Sequence, residues 1–128
     1  IPEALSSYNT VIQTMRLISK NGENKWIESE KRWSSLLFAV DSKDRALLIM
    51  SRSPYPVHQL GNMILELPLD IVNAAYVEGG PCTAMYLKMA GKEHYFTGSY
   101  ETGFNENDNN RELKKIPNII IVKSRKKR

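Results

Sequence analysis

Apolar residues in this chain gather in short runs separated by polar and glycine-containing stretches, and only one segment repeats them at helical spacing. The runs predict strands over Val11 to Ile18, Leu36 to Val40, Ala46 to Met50, Ile71 to Val77, Thr83 to Lys88 and Asn118 to Lys123, all rich in β-branched, aromatic or other apolar residues. Asp41-Ser-Lys-Asp44, between the second and third, carries the Asp and Ser that favour tight turns, so those strands are expected to pair antiparallel as a hairpin. Between Pro56 and Pro68, the residues Val57, Leu60, Met63, Ile64 and Leu67 recur three or four apart and define the apolar face of one helix. Pro56 suits its start and Pro68 stops it. The short connection to the Ile71 strand predicts a helix packed back onto its own sheet. The fold class expected is α+β, a mixed twisted β-sheet with few helices.

Composition places the chain among globular domains, with 41% hydrophobic and 25% charged residues and a mean hydropathy of −0.41. No apolar run approaches the roughly 20 residues that span a bilayer. The length, 128 residues, fits one domain or part of one. The single cysteine excludes an intrachain disulfide. The formal charge of +4 lies in the tail, where Lys123, Arg125, Lys126, Lys127 and Arg128 hold five of the 18 basic residues; the other 13 face 14 acidic ones. A basic end following a last strand is a solvated terminus more often than a reading surface, and no nucleic-acid motif accompanies it. No nucleic-acid partner is expected. Glu101 to Arg111 is an oxygen-rich loop, but it lacks the alternating ligands and late Glu of a calcium loop. Asn21-Gly-Glu-Asn24 is an ordinary turn signal.

Candidate chemistry centres on Glu78-Gly79-Gly80, which falls on the bend between two strand-like segments. Glycines there can take positive φ and allow a ligand or another part of the chain to approach closely. The surrounding stretch, Asn73-Ala-Ala-Tyr-Val-Glu-Gly-Gly-Pro-Cys-Thr83, resembles the Asn-Ala-Leu-Asn-Leu-Asp-Gly-Gly-Gly-Ser-Ser/Thr signature of the phosphodiester glycosidase family. Val11-Ile-Gln-Thr-Met-Arg-Leu-Ile18 is similar to that family's strand carrying Gln and Arg. Lys31 to Val40 is similar to its Arg-Ser/Thr strand, and Ile116-Pro-Asn-Ile-Ile-Ile-Val122 to its closing strand. The departures are Glu78 for the usual Asp, Pro81 for the third glycine, and Cys82 for a serine. Glu78 moves the carboxylate outward by one methylene, Pro81 removes a backbone donor, and the Cys82 thiol is only a weak donor. The family's domain also begins with further strands that nothing in Ile1 to Tyr8 matches. The resemblance therefore implies that residues 1–122 are the C-terminal part of such a domain, with the missing N-terminal part as its partner and 123–128 as a basic tail. The opening Ile-Pro, without Met, reads as a trimmed or processed start.

The resemblance implies hydrolysis of a sugar-1-phosphodiester on a cell-surface or extracellular glycan, in an extracytoplasmic setting; no cofactor is expected, and no metal-ligating residue is identified. Such a reaction needs charge neutralisation at phosphate and an acid/base group for water or the leaving oxygen. Glu78 is the catalytic candidate, as general base or as orienter of sugar hydroxyls. Arg16 and Arg32 match the family's strand positions and are the anion-binding candidates, since a guanidinium can grip two phosphate oxygens. Ser35, Gly79, Gly80 and Thr83 complete the substrate-binding set. Glu78 is expected to open into a cavity shared with both guanidinium groups. Gln13 is a further candidate to orient substrate, but on a regular strand it faces away from Arg16. Cleavage at the sugar carbon calls for a second carboxylate, and no residue is identified for it, Glu101 included. His58, His94 and Cys82 show no metal-ligand spacing, and Trp26, Trp33 and the tyrosines suit sugar stacking or core packing equally. The competing class is a carbohydrate- or anion-binding domain that keeps the fold without turnover.

Overall fold

The computed structural model describes residues 11–123. The unmatched segment Ile1 to Tyr8 and the tail beyond Lys123 lie outside them. Four strands form one antiparallel sheet: β1 (Met15–Ile18), β2 (Arg32–Asp41), β3 (Ala46–Pro56) and β4 (Ile71–Gly79), in the spatial order β1-β4-β2-β3. The helix α1 (Val57–Glu66) connects β3 to β4. A separate two-stranded ribbon, β5 (Ala84–Met89) with β6 (Lys92–Thr97), follows a single turn of 3₁₀-helix at Gly80–Cys82. The α+β class with few helices holds.

The β2–β3 hairpin forms where its turn residues predict. Asp41 is almost completely buried and accepts hydrogen bonds from the backbone N–H groups of Lys43 and Arg45, each at 2.9 Å, and from Arg45 Nε at 2.6 Å. The backbone bond from Arg45 is the main reason this carboxyl sits below its ordinary range; burial pulls the other way. The helix also meets its predicted bounds. Pro56 stands at its N-cap, and Leu67, held extended before Pro68, ends it.

Helix residues Val57, Leu60 and Ile64 bury against Leu37, Ala39 and Ala74 of the sheet and Leu17 and Ile18 of β1. Leu37 pairs with Ile49 and Ala39 with Leu47, so β3 adds to the same layer. The other face of the sheet carries Leu36, Phe38 and Met50, half-buried, and Leu48, exposed.

Two expectations are corrected, and one strand is added. Asn118 to Lys123 is not a strand: the segment has no regular structure and Ile119, Ile121 and Val122 are exposed, because among the described residues no strand edge lies alongside it and β-propensity alone supplies no ladder. The first strand begins at Met15 rather than Val11, since only Met15–Ile18 lies alongside β4. β6 had no apolar run to announce it; Ala90 and Gly91 at positive φ (49° and 77°) form the two-residue turn that folds it onto β5.

One buried hydroxyl ties the ribbon and the polar loop to the sheet. Ser34 Oγ donates to the Arg52 carbonyl at 2.6 Å and accepts from the N–H groups of Ser99 at 2.9 Å and Tyr100 at 3.2 Å. Arg52 extends the tie, donating to Thr97 and to the Asn110 carbonyl and pairing with Asp108 at 2.7 Å. Ser34→Ala is therefore expected to destabilise the fold by about 1–3 kcal/mol for each donor left unpaired, measured by denaturant unfolding.

Candidate functional site

β4 enters the bend through an irregularity. Leu37 pairs with Tyr76 but Leu36 with Glu78, so Val77 is an extra residue, a bulge. The consequence is that Tyr76 lies opposite Leu37 on the helix-packed side, whereas Glu78 lies opposite Leu36 on the other side. Glu78 is exposed, and its Oε1 accepts from the N–H of Gly79 at 2.9 Å.

Both glycines are required by what lies over them. Gly79 is extended, and a Cβ there would strike the Tyr76 hydroxyl. Gly80 has φ of +66° and is buried, and a Cβ on it would strike the Glu101 carboxylate. The approach anticipated for a ligand is thus made by the chain's own side chains. Glu101 is placed by an antiparallel bridge to Trp33 and by paired backbone bonds with Asn105, each at 2.9 Å. Among the described residues its carboxylate has neither a hydrogen-bond donor nor a cationic partner.

Tyr76 is the group whose ionisation this setting changes most. Burial pushes its phenol up to about 12, the negative charges of Glu78 and Glu101 push the same way, and a hydrogen bond with Ser35 opposes them. The phenol is a neutral hydrogen-bond donor at physiological pH.

The predicted residues are distributed as follows. Glu78 lines an open concavity of about 490 Å³ together with Gln13, Thr14, Met15, Tyr76 and Val77. Gln13 reaches it because residues 11–14 precede β1 and escape strand alternation. Arg16 pairs with Ala75, which pairs with Phe38, so it shares the Glu78 face about 10 Å along β4. It is exposed and absent from the concavity wall. Arg32 is exposed too, and its backbone is bound to Thr102. Neither guanidinium shares the Glu78 cavity, contrary to expectation. Ser35 and Thr83 are buried: Ser35 Oγ donates to the Trp33 carbonyl at 3.3 Å, and Thr83 Oγ1 to the Ser34 carbonyl at 3.4 Å. Both support the bend from beneath.

Sequence reasoning missed Tyr76 and Glu101. Tyr76 stood inside an apparent strand core, and Glu101 stood in a polar loop whose contact with Gly80 is set by the crossing at Ser34. Elsewhere, His58 lies 3.9 Å from Glu28 and His94 stacks on Phe96. Among the described residues no group of three or more His, Cys, Asp or Glu is placed to hold a metal ion, and no helix is long and apolar enough to cross a membrane.

Comparison with known proteins places this geometry in context. The model of the phosphodiester glycosidase family matches residues 1–123, and the chain belongs to that family. No curated protein and no solved structure matches it.

The Tyr76 environment gives a direct test. Phenolate formation, followed by ultraviolet absorption against a Tyr76→Phe control, is expected near pH 12 and at lower pH in Glu78→Gln, which removes one of the charges raising it. Because the folded value exceeds the ordinary 10.0, this group's stabilisation is complete below pH 10 and is lost as pH rises toward 12.

Proposed function

We propose that the site hydrolyses a sugar-1-phosphodiester, with Glu78 as the general base acting on water. The observation that carries this reading is the family match over residues 1–123 together with a carboxylate at the Gly79–Gly80 bend that opens into a concavity. Glu101 is the second carboxylate of the reading, since it lies over Gly80 with no cationic partner among the described residues and within electrostatic reach of Tyr76. Tyr76, held protonated, supplies a neutral donor on the buried side of the bend. In the reaction the bond between the sugar carbon and the phosphate oxygen breaks, water adds to the carbon, and the water proton passes to a carboxylate. The leaving phosphate monoester departs as an anion and needs less protonation than an alkoxide. A cell-surface or extracellular glycan, met outside the cytoplasm, is the substrate this reading brings with it.

A second reading, sugar-phosphate binding without turnover, is favoured by one observation. Glu78 is already engaged by its own neighbouring N–H, and the space over both glycines is filled from within. The two separate on assay. With the full-length protein and an N-acetylglucosamine-1-phosphodiester, hydrolysis predicts release of free sugar. Glu78→Gln is expected to slow it by about 10²- to 10⁴-fold with the melting temperature unchanged. Saturable binding with no sugar released from any of several such glycosides supports the binding domain instead.

A further inference from the structure

The four-stranded sheet has one end closed and one end open. At the β1 end, the N–H of Lys25 donates to the Leu17 carbonyl at 2.7 Å and Asn24 bridges Ile18, so the outer side of that strand is covered. β3 forms the opposite end, and its second half is blunted, since Pro54 and Pro56 have no N–H to offer a further strand. The remaining stretch, Ala46 to Met50, pairs in continuous register with β2 on one side, and among the described residues nothing hydrogen-bonds to its other side. Edges that stay single carry charges, prolines or bulges, and this stretch has none of them. Leu47 and Ile49 pack toward the helix while Leu48 and Met50 lie on the opposite face, so the open edge is apolar on both sides.

One segment of the chain fits that edge. Ile119 to Val122 is β-branched throughout, would present an apolar residue on either face of a strand, and is left exposed without a ladder. Its own copy does not carry it toward β3. Lys114 shares the wall of an open concavity of about 470 Å³ with Pro81 and Phe104. Pro81 follows directly on β4, so the chain leaves the sheet from the β4 side, with β2 and β3 between it and the open edge. We propose that Asn118 to Lys123 adds as an antiparallel strand to the Ala46–Met50 edge of a second copy, and that the exchange is reciprocal, giving a closed two-fold dimer. Main-chain hydrogen bonds supply the affinity, and the match of a doubly apolar strand to a doubly apolar edge supplies the selectivity. The edges of the β5–β6 ribbon, with Lys88, Lys92 and Glu93, offer no such match. Charge sets the direction: antiparallel addition brings Lys123 to Asp44, an exposed acid with no ion-pair partner among the described residues, whereas parallel addition brings it to Arg52. The exchange does not depend on turnover at the bend.

Analytical ultracentrifugation of the full chain over a range of concentrations tests the exchange, with a monomer–dimer equilibrium expected for the wild type. Leu48 and Ile120 are 39% and 40% exposed in the single chain, so Leu48→Lys and Ile120→Lys spare the monomer and burden the pairing. Each is expected to weaken dimerisation about tenfold or more. Mixing the two variants is expected to recover association, because the Leu48→Lys chain keeps an intact segment and the Ile120→Lys chain an intact edge. Pairing within one chain gives no such recovery. Ending the chain after Pro117 removes no helix or strand of the described residues and is expected to give monomer, which carries the test where a lysine variant fails to fold. A wild type that is monomeric at every concentration overturns the proposal. So does a dimer that Ile120→Lys and the shortened chain leave unchanged, which assigns the contact to the ribbon or to β3 paired with itself, and so does a mixture that associates no better than either variant alone.

Discussion

The buried hydroxyl of Ser34 is the constraint on which the rest of the molecule depends. It sits where two parts of the chain cross, β2 below and Gly98 to Tyr100 above, and it satisfies three backbone groups at that crossing. Backbone polar groups buried without partners are costly, so this small donor-acceptor stabilises the crossing. Gly98 meets the same demand sterically, since a Cβ there would strike the Gly80 carbonyl and crowd the side chains of Thr83 and Ser34. The ribbon, the bend and the polar loop are thereby fastened at one point.

From that crossing the geometry of the site follows. The loop leaving Tyr100 has to pass over the bend, and the bridge to Trp33 sets where Glu101 falls. The bulge at Val77 separates Tyr76 from Glu78, sending the phenol to the dry side of β4 and the carboxylate to the wet side. Two acidic groups and one neutral phenol then surround a pair of glycines, and burial makes the phenol hold its proton more tightly than it would in water. Glu78 lines one concavity, and Pro81 with the loop walls another.

What was legible in the chain was whatever depends on near neighbours. The Asp41 turn and the helix between two prolines depend on side chains within a few positions of one another, so pattern and capping chemistry locate them closely. The last predicted strand failed for the complementary reason: Asn118 to Lys123 has the residues of a strand, but pairing is a property of two segments, and among the described residues no edge lies alongside it. β6 shows the converse, for a polar, charged segment became a strand because a two-residue turn brought it against β5.

The same division applies to the site. By itself the sequence determined that an acidic residue would stand beside two glycines at a bend, and that the stretch carries the family's signature. Only the tertiary structure decided what occupies the space over those glycines and where the arginines go. Tyr76 and Glu101 converge on the bend through a bulge and a distant crossing, whereas Arg16 and Arg32 point from strands whose register keeps them outside the cavity walls. Residue type and local spacing dictate turn chemistry; which side chains meet across the fold is set by register and by the satisfaction of buried polar groups, which no single segment contains.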